Sequence, residues 1–416
     1  MMLPDTLKEQ ALAGAALLDK ELQEQAKQQS PHASNGLSAV RDAGRVALAE
    51  QVFPDKKVEQ WKYTSLLALQ DGHLKALADK TSSTVSAPDF GGVTLTIING
   101  RLPALLPEID GVTFSQEAVD QSAQAESVFS HYNAATLRAA LTIKVAKGTH
   151  VAEPLHLIII SESDSPASAA VRLHIEAADN STFTVIEHYV GSGPTLCSST
   201  TSLYAGANSN VQHYRLQSET PESLHIGELS IHQQRDSRVA SYQLMQANTL
   251  RRNNVRVWMN ESGADLVMRG VFIARNKTHV DNQICIEHAA PHCTSDQIFK
   301  GIAGESGKAV FNGRIHIHPG AKGSDAKLSN KNLLLSNGAE IDSKPELEIY
   351  NDDVKCAHGT TVGQMDSQQQ FYLQSRGISA EAAKRMLGVG FINELLMALP
   401  NERVAEWARD WLSASL

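Results

Sequence analysis

The pairs Asn180-Ser181, Asn208-Ser209 and Asp236-Ser237 recur at intervals of 28 residues. Asn, Asp and Ser are turn formers, and a period near this length holds two short strands and two turns. That is the content of one coil of a β-solenoid. Glu261-Ser262-Gly263, Thr294-Ser295-Asp296, Glu305-Ser306-Gly307 and Gly323-Ser324-Asp325 carry the signal onward at looser spacing. A single coil cannot bury its inner face. Stacked coils share one long narrow core, built from alternate residues of each strand. An antiparallel sandwich with evenly spaced turns is the competing reading. A sandwich of this size would split at a linker, and none is visible between 93 and 350.

The strands themselves show the two-residue period. Val93-Thr94-Leu95-Thr96-Ile97-Ile98 alternates and ends at the turn Asn99-Gly100. Phe183 to Tyr189, Val211 to Leu216, Val255 to Met259, Leu266 to Ala274 and Ile315 to Ile317 continue the style. Both ends of the chain read as helix instead. Leu12, Ala15, Ala16 and Leu18, then Leu37, Val40, Ala47 and Leu48, are spaced helically on either side of a Ser/Pro/Asn/Gly break at Ser30 to Gly36. Ser379 reads as an N-cap with Glu381 in the first turn of a helix that stops at Pro400. A second helix, Glu402 to Leu412, places Trp407 and Trp411 on one face, as in an interface or a core seam. The expected fold is mainly β with helical ends. It divides into a helical domain at 1–80, a Ser/Thr/Pro/Gly-rich linker at 81–92, a solenoid at 93–350 and a C-terminal segment with helices at 351–416.

Composition excludes several classes of function. With 42% apolar residues in 416, the chain has enough material for a core and is not mainly disordered. The net charge of −9 and 5% aromatic content argue against nucleic acid. The densest basic spot, Arg251-Arg252, reads as a solvated turn. No apolar run approaches the roughly 20 residues of a membrane helix, and the first thirty residues lack the basic start and apolar block of a signal peptide. The expectation is a cytoplasmic protein. Four cysteines are too few for a disulfide framework.

Three groups could carry metal or sulfur chemistry. Cys356-Ala357-His358 puts a thiol and an imidazole on the same side of a strand, although a lone pair of this kind is weak and reads as structural on its own. Cys285, His288, His292 and Cys293 have zinc-ligand types without the usual paired spacing. His316-Ile317-His318 resembles half of a cupin-like site, but no Glu follows at a suitable spacing. For these last two groups, and for Cys197, a structural reading is preferred. Gly301 to Lys308 looks like a phosphate loop, yet Val310-Phe311 opens a strand where that motif needs a helix, so it reads as a solenoid turn. Paired carboxylates for sugar chemistry cannot be picked out.

From Asn332 onward the sequence is distinctive. Asn332-Leu333-Leu334-Leu335, Lys344-Pro345-Glu346-Leu347-Glu348-Ile349-Tyr350, Asp352-Asp353-Val354-Lys355-Cys356-Ala357-His358-Gly359, Phe371-Tyr372-Leu373 and Ser375-Arg376-Gly377-Ile378 run in one block. This block closely resembles the SufB/SufD family of iron–sulfur cluster assembly proteins, and its D branch in particular. Glu59-Gln60-Trp61-Lys62-Tyr63-Thr64 resembles a motif near that family's N-terminus. Asn351 and Ala357 depart from the common pattern, and neither is a ligand type.

The resemblance implies a right-handed parallel β-helix with helical domains at both ends, acting as a scaffold rather than an enzyme. It implies pairing with SufB through the β-helix ends and binding of the ATPase SufC through the C-terminal helices, with Arg376, Met386, Phe391 and Leu395 in that region. It implies no permanently bound cofactor. A transient iron–sulfur cluster, or iron, would form at the interface, with His358 and Cys356 as this chain's contributions and no metal elsewhere. It implies neither nucleic acid nor membrane as partner, and allows a homodimer when the subunit is isolated. A SufB-like scaffold is the nearest alternative. A β-helical carbohydrate-active or metal-dependent enzyme is a more distant one.

Overall fold

The structure, a computed structural model, describes residues 3–28, 35–69, 73–75, 80, 82–117 and 127–416. Among the described residues eighteen strands run in chain order from β1 (Val93–Ile98) to β18 (Lys355–Gln364). They form two nine-stranded sheets. One carries β1 and the even-numbered strands from β4 (Leu155–Glu162) to β18. The other carries β2 (Val112–Ser115) and the odd-numbered strands from β3 (Leu137–Val145) to β17 (Glu340–Ile349). Every pairing between these strands is parallel except β2 with β3. A chain that alternates between two sheets while stacking in parallel is a β-solenoid, as the turn spacing predicts.

The turns show why the period exists. Asn180, Asn208 and Asp236 all have φ between 56° and 59°, a left-handed conformation that Asn and Asp tolerate better than most residues. The serine after each is buried, and those at 209 and 237 donate their hydroxyls back to the carbonyls of Gly206 and Gln234, each at 2.8 Å. Asn208 Nδ2 donates to Asn180 Oδ1 at 2.7 Å, so successive turns also bond to each other. Glu305, in the phosphate-loop-like stretch, has φ 52° in the turn between β14 (Thr294–Ala303) and β15 (Lys308–Ile317). That stretch is a solenoid turn.

Alternate residues of each strand fill the lumen. Leu157, Val185, Leu229, Val257, Ile286 and Ile315 belong to one continuous buried cluster. Each such side chain contributes about 1.5–3 kcal/mol by leaving water. The middle of the lumen is polar: Glu187 is fully buried, 3.5 Å from Arg215 Nε and 2.9 Å from His213 Nε2, and accepts from Tyr189 and Thr201. Burial alone would raise the Glu187 pKa, but Arg215 and His213 outweigh it and hold the pKa at about 2.

Helices cover the outer faces of both sheets. The N-terminal helices α1 (Leu3–Gln28) and α2 (Asn35–Glu50), with α3 (Val128–Ala135), pack Leu7, Ala11, Leu48 and Phe129 over Leu196, Leu224 and Leu250 of the second sheet. Glu59 to Trp61 form a short 3-10 turn there, and Trp61 stacks on Phe129 with ring centres 5.4 Å apart. The break expected at 30–36 lies outside the described residues, apart from residues 35 and 36, which open α2. Residues 82–92 carry neither helix nor strand, and Phe90 among them is buried.

Two expectations need correction. The strand ladder does not end at 350: β18 pairs with β16 (Asp325–Leu334) over ten residues. Its polar sequence hides it, because a terminal strand has no next coil against which to bury apolar residues. Arg251-Arg252 is not a solvated turn either. Both are buried in β11 (Leu250–Met259). Arg251 meets Glu219 at 2.8 Å, and Arg252 meets Asp281 directly across the ladder. Stacking supplies counter-charges that local sequence does not reveal.

Candidate functional site

Cys356 and His358 lie on β18, the terminal strand of its sheet. Cys356 stands opposite Ala326 and His358 opposite Leu328, and both of those residues are buried in the lumenal core. Positions two apart share a face. The lumenal row that is Ala and Leu on β16 therefore becomes thiol and imidazole in the last coil. Cys356 is half-buried against the core and His358 is exposed. A Cβ built at Gly359 or Gly363 would meet nothing within 4 Å, so the space around this strand is open. Across the mouth, Ser343 on β17 lies 2.6 Å from Thr360 and donates to Asn330 at 2.7 Å.

Burial pushes the Cys356 thiol up, and Asp325 adds to the effect. Both effects favour the thiol over the thiolate, and a bound cation would oppose them. Cys356 and His358 belong to no group of three or more His, Cys, Asp or Glu ligands among the described residues. The strands that carry the mouth are also unfinished. Among the described residues β17 pairs only with β15, and β18 only with β16. Ile349, Tyr350 and Val362 expose apolar surface at this end.

Three helices follow. α4 (Ser367–Ser375) is capped by Asp366, whose Oδ1 accepts from Gln368 N at 2.8 Å; it buries nothing and exposes Phe371 and Tyr372. α5 (Ala380–Met397) starts at its Ser379 cap as the sequence indicates. With α6 (Glu402–Ala414) it packs Ile392, Leu396, Val404 and Leu412 over Ile186, Leu216 and Ile302 of the first sheet. Trp407 and Trp411 stack 4.7 Å apart, and Trp407 also contacts Phe90 and His188, so the indoles form a packing seam.

The four residues expected at the ATPase-docking helices lie in different surroundings. Leu395 is buried and Phe391 is turned to the sheet, its carbonyl accepting from Lys300 Nζ at 2.8 Å. The apolar stripe on α5 that carries them is the face spent on packing. Met386 is exposed, and Arg376 lies over the exposed Tyr372 ring at 5.3 Å. These two remain available.

The other candidates separate. His288 is buried and bonded to Ser295 at 2.9 Å, Cys293 is buried, and His292 occupies a left-handed turn. Cys285 faces outward from the second sheet with its thiol 3.3 Å from Glu287. His316 and His318 do have a carboxylate, Glu287, which lies across the ladder on the preceding coil. A search along the chain after His318 misses it; only the register of the coils would have found it. Cys197 is buried beside Glu219 and His225, where Arg251 already neutralises the carboxylate.

Comparison of the sequence with known proteins identifies the family. Residues 158–391 match the family model described as SUF system FeS cluster assembly, SufBD core domain. The chain is 32% identical over 365 residues to the iron–sulfur cluster assembly protein SufD of Escherichia coli, covering 84% of this chain and 86% of that protein. It is 28% identical over 428 residues to an iron–sulfur cluster assembly SufBD family protein of Synechocystis, covering 92% of each. It is 25% identical to the chloroplastic protein ABCI7 of Arabidopsis thaliana, covering 93% of this chain and 88% of that one. The chain belongs to the SufB/SufD family of iron–sulfur cluster assembly proteins and is a SufD homologue.

Proposed function

We propose that this chain is a non-enzymatic scaffold subunit that pairs end to end with SufB, binds the ATPase SufC through its C-terminal helices, and presents Cys356 and His358 to a nascent iron–sulfur cluster, or its iron, at the shared seam. The cluster is cargo, built and passed on, and the setting is the cytoplasm. One observation carries the reading. A thiol and an imidazole, both suited to iron, occupy the lumenal row of a terminal coil whose edges are unpaired among the described residues.

Physical chemistry supports the rest. Two donors do not complete a four-coordinate iron, so the remaining ligands come from elsewhere. Unpaired strand edges invite a second sheet, and a partner β-helix pairing there would cover Ile349, Tyr350 and Val362 while bringing its own donors to the mouth. Nucleotide-driven approach of two ATPase copies would act on that seam through the helices.

The test is anaerobic reconstitution of the co-expressed SufB–SufC complex with wild-type and His358→Ala chains, followed by iron and sulfide analysis. The variant should associate normally and assemble at least tenfold less cluster. Loss of association would reassign His358 to interface packing, and an undiminished cluster yield would remove it from the site. Crosslinking at Cys356 that does not respond to ATP would remove the coupling step.

A further inference from the structure

The strongest unassigned cluster is on the outward face of the second sheet. Glu287 on β13 (His279–His288) and His316 on β15 are direct partners across the parallel ladder, and His318 follows two residues later on the same side. Glu287 Oε2 lies 2.6 Å from His316 Nδ1 and 2.9 Å from His318 Nε2. His318 makes a hydrogen bond at that distance. His316 Nδ1 does not: it is buried, misaligned with the carboxylate and without a hydrogen-bond partner among the described residues. One carboxylate oxygen thus faces two imidazole nitrogens and satisfies only one of them.

We infer that Glu287, His316 and His318 form a binding site for a borderline divalent transition-metal ion such as iron(II), cobalt(II) or zinc(II). Ligand atoms about 2.1 Å from a common ion and at right angles to each other are about 3.0 Å apart, close to the two spacings above. Two imidazoles and one carboxylate, on one side of an ion with positions left open, is the donor set that divalent iron and its neighbours accept. The carboxylate is an anion. Burial would raise its pKa, but hydrogen bonds from His318 and Cys285, with His316 and Arg256 nearby, bring it below its ordinary value.

The surroundings hold the donors in place. The other carboxylate oxygen, Oε1, accepts from Cys285 at 3.3 Å and lies 4.0 Å from Arg256 Nε, which leaves Oε2 to the imidazoles. Outer partners of this kind orient metal ligands. The two imidazoles stack with centres 4.0 Å apart, Tyr350 meets His316 edge-on at 5.5 Å, and Trp258 lies 6.1 Å from His318. Both imidazoles keep partial exposure, His316 17% and His318 29% at the side chain, so water or an incoming ligand can reach the open positions. Beside the cluster is a cavity of about 460 Å³ lined by Cys285, Trp258, Arg256 and Arg314. The site does not rest on the role proposed for Cys356 and His358 and uses neither residue.

The full-length chain, freed of metal, is titrated with cobalt(II) and followed by visible absorption and equilibrium dialysis. Wild type should bind one equivalent at this site. His316→Ala and His318→Ala should each weaken binding by roughly tenfold or more, and the Cys356→Ser/His358→Ala double variant should keep the site's affinity. Zinc(II) should raise the thermal midpoint of wild type but not of Glu287→Gln, a near-isosteric change that tests the site even if a histidine variant folds poorly. The inference is overturned if wild type binds neither cobalt(II), zinc(II) nor, anaerobically, iron(II). It is equally overturned if binding survives both histidine changes, or disappears only with the Cys356/His358 variant.

Discussion

The Arg252 guanidinium lies 3.8 Å from the centre of the Trp61 ring. The same guanidinium donates to the Gln60 carbonyl at 2.8 Å and to Asp281. Thr64 bonds Asp281 as well, and Glu59 meets Lys344 Nζ on β17 at 2.8 Å. The N-terminal motif therefore straps the outer face of the second sheet, from β11 to the terminal strand β17. Trp61→Ala should cost about 3–5 kcal/mol, the usual loss for a large aromatic truncated in a packed site. Urea unfolding measures this, and limited proteolysis should cut the N-terminal segment first. A variant as stable and as resistant as wild type would mean that the strap contributes little.

Glu187 and Arg215 form the charged centre of the lumen. Arg215→Met would leave a buried carboxylate without its main counter-charge, an effect of about 3–5 kcal/mol. Acid should act in the same direction. The folded carboxylate has a pKa of about 2 against 4.5 in the unfolded chain, so its stabilisation is full above 4.5 and is lost as pH falls from there toward 2. Denaturant titrations across that window should show a steeper loss in wild type than in Arg215→Met.

Buried histidines weaken the fold at milder acidity. His156 and His188 stack 5.7 Å apart beneath Phe90 and Trp407. Both nitrogens of His156 lack hydrogen-bond partners among the described residues, while His188 Nε2 bonds Ser218 at 3.0 Å. Burial lowers their pKa values to about 4 and about 3, and the nearby carboxylates Asp89 and Glu219 only partly oppose it. The unfolded chain takes up protons near 6.5 and the folded one does not. Stability is thus complete above 6.5 and falls with pH through 4 and 3, by up to about 1.4 kcal/mol per histidine for each unit of depression. Tryptophan fluorescence should report loosening of α6 within this range. His156→Phe should flatten part of the slope, and an unchanged slope would clear His156 of the effect.

At the mouth, Val362 is exposed. Val362→Arg should leave the unfolding free energy of the isolated chain unchanged within about 0.5 kcal/mol, as for other exposed positions. In the proposed complex it should weaken pairing with SufB at least tenfold by placing a charge in an apolar seam, read by analytical ultracentrifugation or titration calorimetry. Unaltered affinity would move the interface away from β18.

The turn residues and the alternating strands make the β-solenoid legible in the sequence, because left-handed Asn and Asp and a two-residue hydrophobic period are local consequences of backbone sterics. The Ser379 cap and the paired tryptophans were legible for the same reason. Neighbours across coils were not. Ladder partners one coil apart are 26 residues apart at Leu224 and Leu250, 28 at Val211 and Val239, and 32 at Arg314 and Glu346. A coil absorbs such differences in its turns, so no fixed offset gives the register. Amino-acid order alone thus settled that the chain would stack into a parallel ladder with helices at its ends. Only the tertiary structure decided that Glu287 would face His316, that Arg252 would be sealed beneath Trp61, and that Cys356 and His358 would lie in the last, uncovered coil. Each of those depends on which strands become neighbours, and neighbourhood in a solenoid is set by the summed lengths of every turn between them.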